Sequence, residues 1–139
     1  MSEPPTTALL EALFPYSAST GDIVVRVNVS YMADQSAPAD GRWFWAYHVR
    51  IENHGEAPVQ LLGRHWVIED GDGARHEVAG EGVIGEVPVI APGKAHDYVS
   101  GCPLDTPSGT MRGHYEMIGA GGDRFRIAIP LFELEGPSL

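Results

Sequence analysis

The chain has a single cysteine, Cys102, in 139 residues. One thiol excludes an internal disulfide and a cysteine-rich zinc site, and it fits a reducing compartment. Long apolar runs are missing as well. None approaches the roughly 18 residues that span a bilayer, so no membrane contact is expected. The opening stretch MSEPPTTALLEALFPYSAST has neither a basic region nor a long apolar region, so no secretory signal is expected and the expected location is cytoplasmic. Positive charge is scarce: nine Lys and Arg against nineteen Asp and Glu leave a formal net charge of −10. Such a field repels phosphate backbones, and the basic residues never form a run, so nucleic acid is not an expected partner.

What is present is period-two patterning. In DIVVRVNVSY, Ile23, Val25, Val27, Val29 and Tyr31 share one face, and Arg26, Asn28 and Ser30 share the other. RWFWAYHVRIEN repeats the alternation, with Trp43, Trp45, Tyr47, Val49 and Ile51 set against His48, Arg50 and Glu52. Both read as half-buried strands. NHGEAP is turn chemistry, with Gly55 available for a positive φ. VQLLGRHWVIED is apolar but breaks alternation near Gly63, where a bulge is expected. DGDG, Asp70 to Gly73, reads as a hairpin turn. TMRGHYEMI puts Met111, Tyr115 and Met117 on one face, and RFRIAIPLFEL puts Phe125, Ile127, Ile129 and Leu131 inward. No convincing helix is found. Residues 1–20 read as a separate, poorly ordered or briefly helical extension, and 21–139 as one domain. About seven or eight strands predict an antiparallel β-sandwich of the immunoglobulin or fibronectin type III kind, with a small barrel as the alternative.

Four separated segments, APVQLLGRHWVIEDGDG, VAGEGVIGEVPVIAPG, YVSGCPLDTPSGTMRGHYEMI and FRIAIPLFEL, resemble the ApaG family in order and spacing. The resemblance covers roughly residues 22–134 and leaves the N-terminal extension without a family counterpart. It implies a fibronectin type III-like sandwich, in agreement with the strand pattern. It also implies a protein linked genetically to cobalt and magnesium tolerance and efflux, with no established catalytic activity. Related domains in a eukaryotic F-box protein and a DNA polymerase delta-interacting protein imply a protein-binding role. The family's G-x-G-x-x-G, proposed to bind pyrophosphate, falls on Gly80, Gly82 and Gly85.

A Rossmann fingerprint needs a helix after its glycines, because the helix N-terminus holds the pyrophosphate. EVPVIAP follows Gly85, and its two prolines and β-branched residues oppose a helix. The dinucleotide meaning is therefore excluded. Two readings remain: backbone amides of the loop form an anion-binding nest, or the glycines serve positive φ angles and close strand approach. Glu81 and Glu86 flank the loop and oppose a phosphate.

For metals, His114 and Glu116 share one face of a strand with Arg112 and are the candidates. His48, His65, His76 and His96 complete the set considered, and none shows a convergent ligand spacing. Cys102 lacks a nucleophile's partners and reads as a structural thiol. Trp43, Trp45 and Trp66 read as core. The expectation is a non-enzymatic module that binds a protein or a small ligand, in association with cobalt and magnesium tolerance. The alternative is direct binding of divalent cations, or of pyrophosphate-containing ligands through Gly80–Gly85. No cofactor is expected, a divalent cation being the one candidate, and a homo-oligomer is left open.

Overall fold

The computed structural model describes residues 5–137. In chain order the elements are α1 (Thr7–Leu13), β1 (Tyr16–Thr20), β2 (Ile23–Tyr31), two short 3-10 turns, β3 (Trp43–Asn53), β4 (Val59–Asp70), β5 (Arg75–Glu81), β6 (Val89–Ile90), β7 (Ala95–Leu104), β8 (Ser108–Gly119) and β9 (Arg124–Glu135). They form two antiparallel sheets, ordered β1-β2-β3-β7 and β5-β4-β8-β9, with β6 also pairing β4. The sheets pack face to face as the expected sandwich, with nine strands.

The alternating residues meet between the sheets. Val25, Val27, Trp45, Val49 and Ile51 come from one sheet; Leu61, Met111, Tyr115, Ile127 and Phe132 come from the other, and all are at most 1% exposed. Each such aliphatic or aromatic side chain contributes about 1.5–3 kcal/mol on burial. Phe132 sits at the centre, its ring 5.9 Å from both Tyr47 and Trp66. At the β1/β9 side the sheets are tied together: Thr20 Oγ1 accepts from the Ala128 amide at 3.0 Å, and Trp45 Nε1 donates to the Glu135 carbonyl at 2.9 Å.

Several expectations need correction. The brief helix read in residues 1–20 is α1, and beyond that reading the stretch also holds β1, which pairs β2 throughout its length. Thr6 caps the helix by accepting from the Leu9 amide at 3.1 Å, and Leu10 and Phe14 are buried. Seven residues cannot hold a helix in water. This one is held by the outer face of the first sheet, where Phe14 meets the His48 ring edge-on at 4.9 Å and Asn28 donates to the Leu13 carbonyl.

That same outer face hides Glu52, which alternation placed opposite the core. It is 4% exposed, because Arg26, Arg50 and His54 surround its carboxylate at 2.8–2.9 Å. Leu131 was expected inward but is 53% exposed. A register shift between Met111 and Gly113 gives β9 one more residue than β8 at Pro130–Leu131, so Phe132 and Leu134 take the core positions. Proline has no amide to donate to a ladder, which suits that irregularity. Gly55 does not take a positive φ; Asn53 closes its turn by accepting from the Gly55 amide at 2.9 Å.

Candidate functional site

Opposite the closed side, edge strands β5 and β7 stand apart. The gap is a cleft of about 480 Å³, within the size range of small-molecule sites. Tyr47, Cys102 and Leu104 line it from the first sheet; Trp66, Val78 and Met111 line it from the second. Trp66 is thus core and cleft wall together, a role that alternation alone cannot separate. Deeper between the sheets, the Tyr98 and Tyr115 hydroxyls hydrogen-bond to each other. Burial pushes both phenols, and Tyr47, above their usual range, so they stay neutral.

One cation of β4 stands on this interior face. The bulge expected near Gly63 is present as a register shift between Leu61 and Gly63. It inverts the alternation, so Arg64 pairs with the buried Tyr115 and turns inward in line with Trp66 and Ile68. Arg64 Nη1 donates to the carbonyls of Glu81 and Gly82 at 2.9 and 3.0 Å. Its guanidinium lies flat on Gly80, where an added β carbon would stand 3.0–3.3 Å from Nη1, Nη2 and Cζ. Among the described residues no carboxylate comes within ion-pair distance of it. Arg64 and the cleft it enters are what the sequence reading missed. The signal was there, since a bulge at Gly63 obliges the next residue to change face.

The three candidate glycines have different jobs. Gly80 lies inside β5 and makes room for Arg64. Gly82 has φ +61, and a β carbon there would stand 2.1 Å from the Glu86 carbonyl oxygen. Its amide donates to the Leu62 carbonyl at 2.9 Å and is therefore engaged within the protein. Gly85 has φ +74 and open space around it. Val83 and Glu86 exchange backbone hydrogen bonds at 2.8 and 3.0 Å, so Ile84 and Gly85 are the central pair of a two-residue turn with both φ positive. That is the type I′ requirement, usually met by Asn-Gly or Gly-Gly. Ile84, with φ +49, is the one non-glycine residue with positive φ among the described residues. It is also 62% exposed, whereas Val83 beside it is 1% exposed and plugged into the core. Val87 and Val89 follow at 47% and 65% exposed, and no residue of β5 is buried.

The metal candidates lie on the outer face of the second sheet. His114 Nε2 is 3.6 Å from Glu116 Oε1, the same oxygen that accepts from Arg126 Nε at 2.7 Å. The His65 ring is 5.0 Å from that of His114, and His65 itself faces Glu77 at 3.3 Å. Burial, aided by Arg126 and His65, lowers the His114 pKa. Among the described residues no three His, Cys, Asp or Glu side chains converge as a metal set. His48 pairs instead with Asp97 at 2.8 Å, and His96 lies 3.9 Å from Glu86. Cys102 is buried, and burial pushes its thiol up to about 11. Among the described residues, no helix is long and apolar enough to cross a membrane.

Residues 33–119 match the family model described as the ApaG domain. The chain is 55% identical over 122 residues to Protein ApaG of Paramagnetospirillum magneticum, covering 88% of this chain and 94% of that one. It is 52% identical to Protein ApaG of Caulobacter vibrioides, covering 88% and 87%. A solved structure described as the putative ApaA protein from Bordetella pertussis superposes with a TM-score of 0.81 at 45% identity, covering 85% of this chain and 96% of that one.

Proposed function

The chain belongs to the ApaG domain family, and from that premise we propose that it is a non-enzymatic binding module that recognises a protein partner through the turn at Ile84 and the adjoining edge strand β5. One observation carries the reading. A β-branched residue is held at positive φ, 62% exposed, at the tip of a turn that asparagine or glycine would fill with less strain. The left-handed conformation costs such a residue about 1–2 kcal/mol. An exposed apolar side chain returns none of that to the fold, and strain of this kind concentrates at functional sites. Val87 and Val89 extend the apolar surface. β5 adds an open strand edge, a template for pairing with an extended segment of another chain.

The direct-cation reading would need a third converging ligand beside His114 and Glu116. The pyrophosphate reading would need the Gly82 amide, which already has its acceptor. In the protein-binding reading, the association with cobalt and magnesium tolerance acts through the partner.

Ile84→Asn tests this. The variant should be as stable as the parent or more so, by about 1 kcal/mol, because asparagine tolerates the left-handed region. In quantitative affinity capture from native lysate, proteins enriched by the parent should be lost with Ile84→Asn. Equal capture by both chains would refute the assignment.

A further inference from the structure

We infer that the cleft between β5 and β7 is a binding site for a small organic anion with a flat apolar body, its charged head paired with Arg64. This site lies beside the Ile84 turn and is independent of it. In a chain of net charge −10, a guanidinium turned toward the interior of the sandwich has no carboxylate partner among the described residues. A partly desolvated cation favours a counter-charge, and arginine offers it a planar fork of donors. Arg64 spends Nη1 on the Glu81 and Gly82 carbonyls. Its Nε and Nη2 have no acceptor among the described residues. The two carbonyls and the bare face of Gly80 hold the group in one place, so little conformational freedom is left to lose on binding.

The remaining walls define the rest of the ligand. Trp66 and Tyr47 supply aromatic faces, and Met111 and Leu104 supply aliphatic surface; a flat apolar body packs on such walls. The other charges at the cleft do not neutralise Arg64. Asp70 turns Oδ1 to the amides of Asp72 and Ala74 at 2.9 Å, as its own turn requires. Asp105 lines the cleft without reaching Arg64. Arg42, 3.6 Å from Asp40, and His76 add positive or titratable charge at the rim. An open-mouthed cleft of about 480 Å³ between two sheets accommodates a fused aromatic pair with one acidic substituent.

The test titrates the full chain with anilinonaphthalene sulfonate, followed by dye fluorescence and tryptophan quenching, with neutral N-phenylnaphthylamine in parallel. Saturable sulfonate binding is expected. Arg64→Met should weaken it by about tenfold or more while changing the neutral dye little. Arg124→Met, a charge-matched control on the exposed surface, should bind as the parent does. Gly80→Val keeps the arginine but displaces it, and should also weaken the sulfonate; it carries the test if thermal melting shows Arg64→Met to be unfolded. Ile84→Asn should leave dye binding intact, so the two readings fail separately. The assignment is overturned by absence of saturation at millimolar dye, or by unchanged sulfonate affinity in a folded Arg64→Met or Gly80→Val chain.

Discussion

The guanidinium of Arg64 lies over Gly80, where a β carbon would stand 3.0 Å from Nη1, closer than ordinary contact. This contact gives the first glycine of GEGVIG a task unrelated to phosphate. The same six residues hold a cation on the inside of the sandwich and, through Val83 as a plug, display Ile84 on the outside.

The other two glycines should differ sharply when substituted. Gly82→Ala combines positive φ with a backbone overlap at Glu86, and should cost roughly 3 kcal/mol or more. Gly85→Ala meets open space and should cost about 1 kcal/mol, the φ penalty less the entropy lost by the unfolded chain. Urea unfolding of both variants measures the difference, and equal losses would contradict the roles assigned to them.

Acid should reveal the buried cluster on the first sheet. Burial alone would raise the Glu52 carboxyl, but hydrogen bonds from Arg26, His54 and Arg50 outweigh it and hold the group at about 2, against an ordinary 4.5. A depressed carboxylate pKa stabilises the fold fully above the ordinary value, and that stability is lost as pH falls toward the depressed one. The window is therefore between 4.5 and about 2, and the contribution is roughly 3 kcal/mol. Glu52→Gln should be less stable near neutral pH, where Arg26 loses its partner. The gap from the parent should then close through this window in thermal melts. A gap independent of pH would be inconsistent with the assignment.

Cys102 should behave as a buried thiol despite lining the cleft. With burial raising its pKa to about 11 and 3% of the residue exposed, little thiolate exists near neutral pH. Alkylation by iodoacetamide at mildly alkaline pH should follow the unfolding equilibrium and accelerate as urea is added. Rapid labelling of the native chain would show that the thiol is reachable from the cleft.

Much of the fold was legible because alternation reports burial directly. Val25, Val49 and Ile127 each repeat at period two and each fills the core. What escaped the sequence were events that break the period or add a third layer. The extra residue at Leu131 and the bulge before Arg64 each turn the chain by one position, and alternation cannot say which side absorbs the shift. The burial of Leu10, Phe14 and Glu52 depends on α1 and on charged neighbours lying over an outer strand face, and the strand pattern reads that face as solvent. The glycine spacing was visible, but its meaning depended on Arg64, a residue sixteen positions before Gly80.

That the glycine loop serves its own chain, and not an anion, is tested most directly by an amide proton–nitrogen NMR titration with inorganic pyrophosphate. The account predicts that the Gly82 amide stays in place up to millimolar ligand, since it remains on the Leu62 carbonyl. A saturable shift of Gly80, Gly82 and Gly85 together would contradict it.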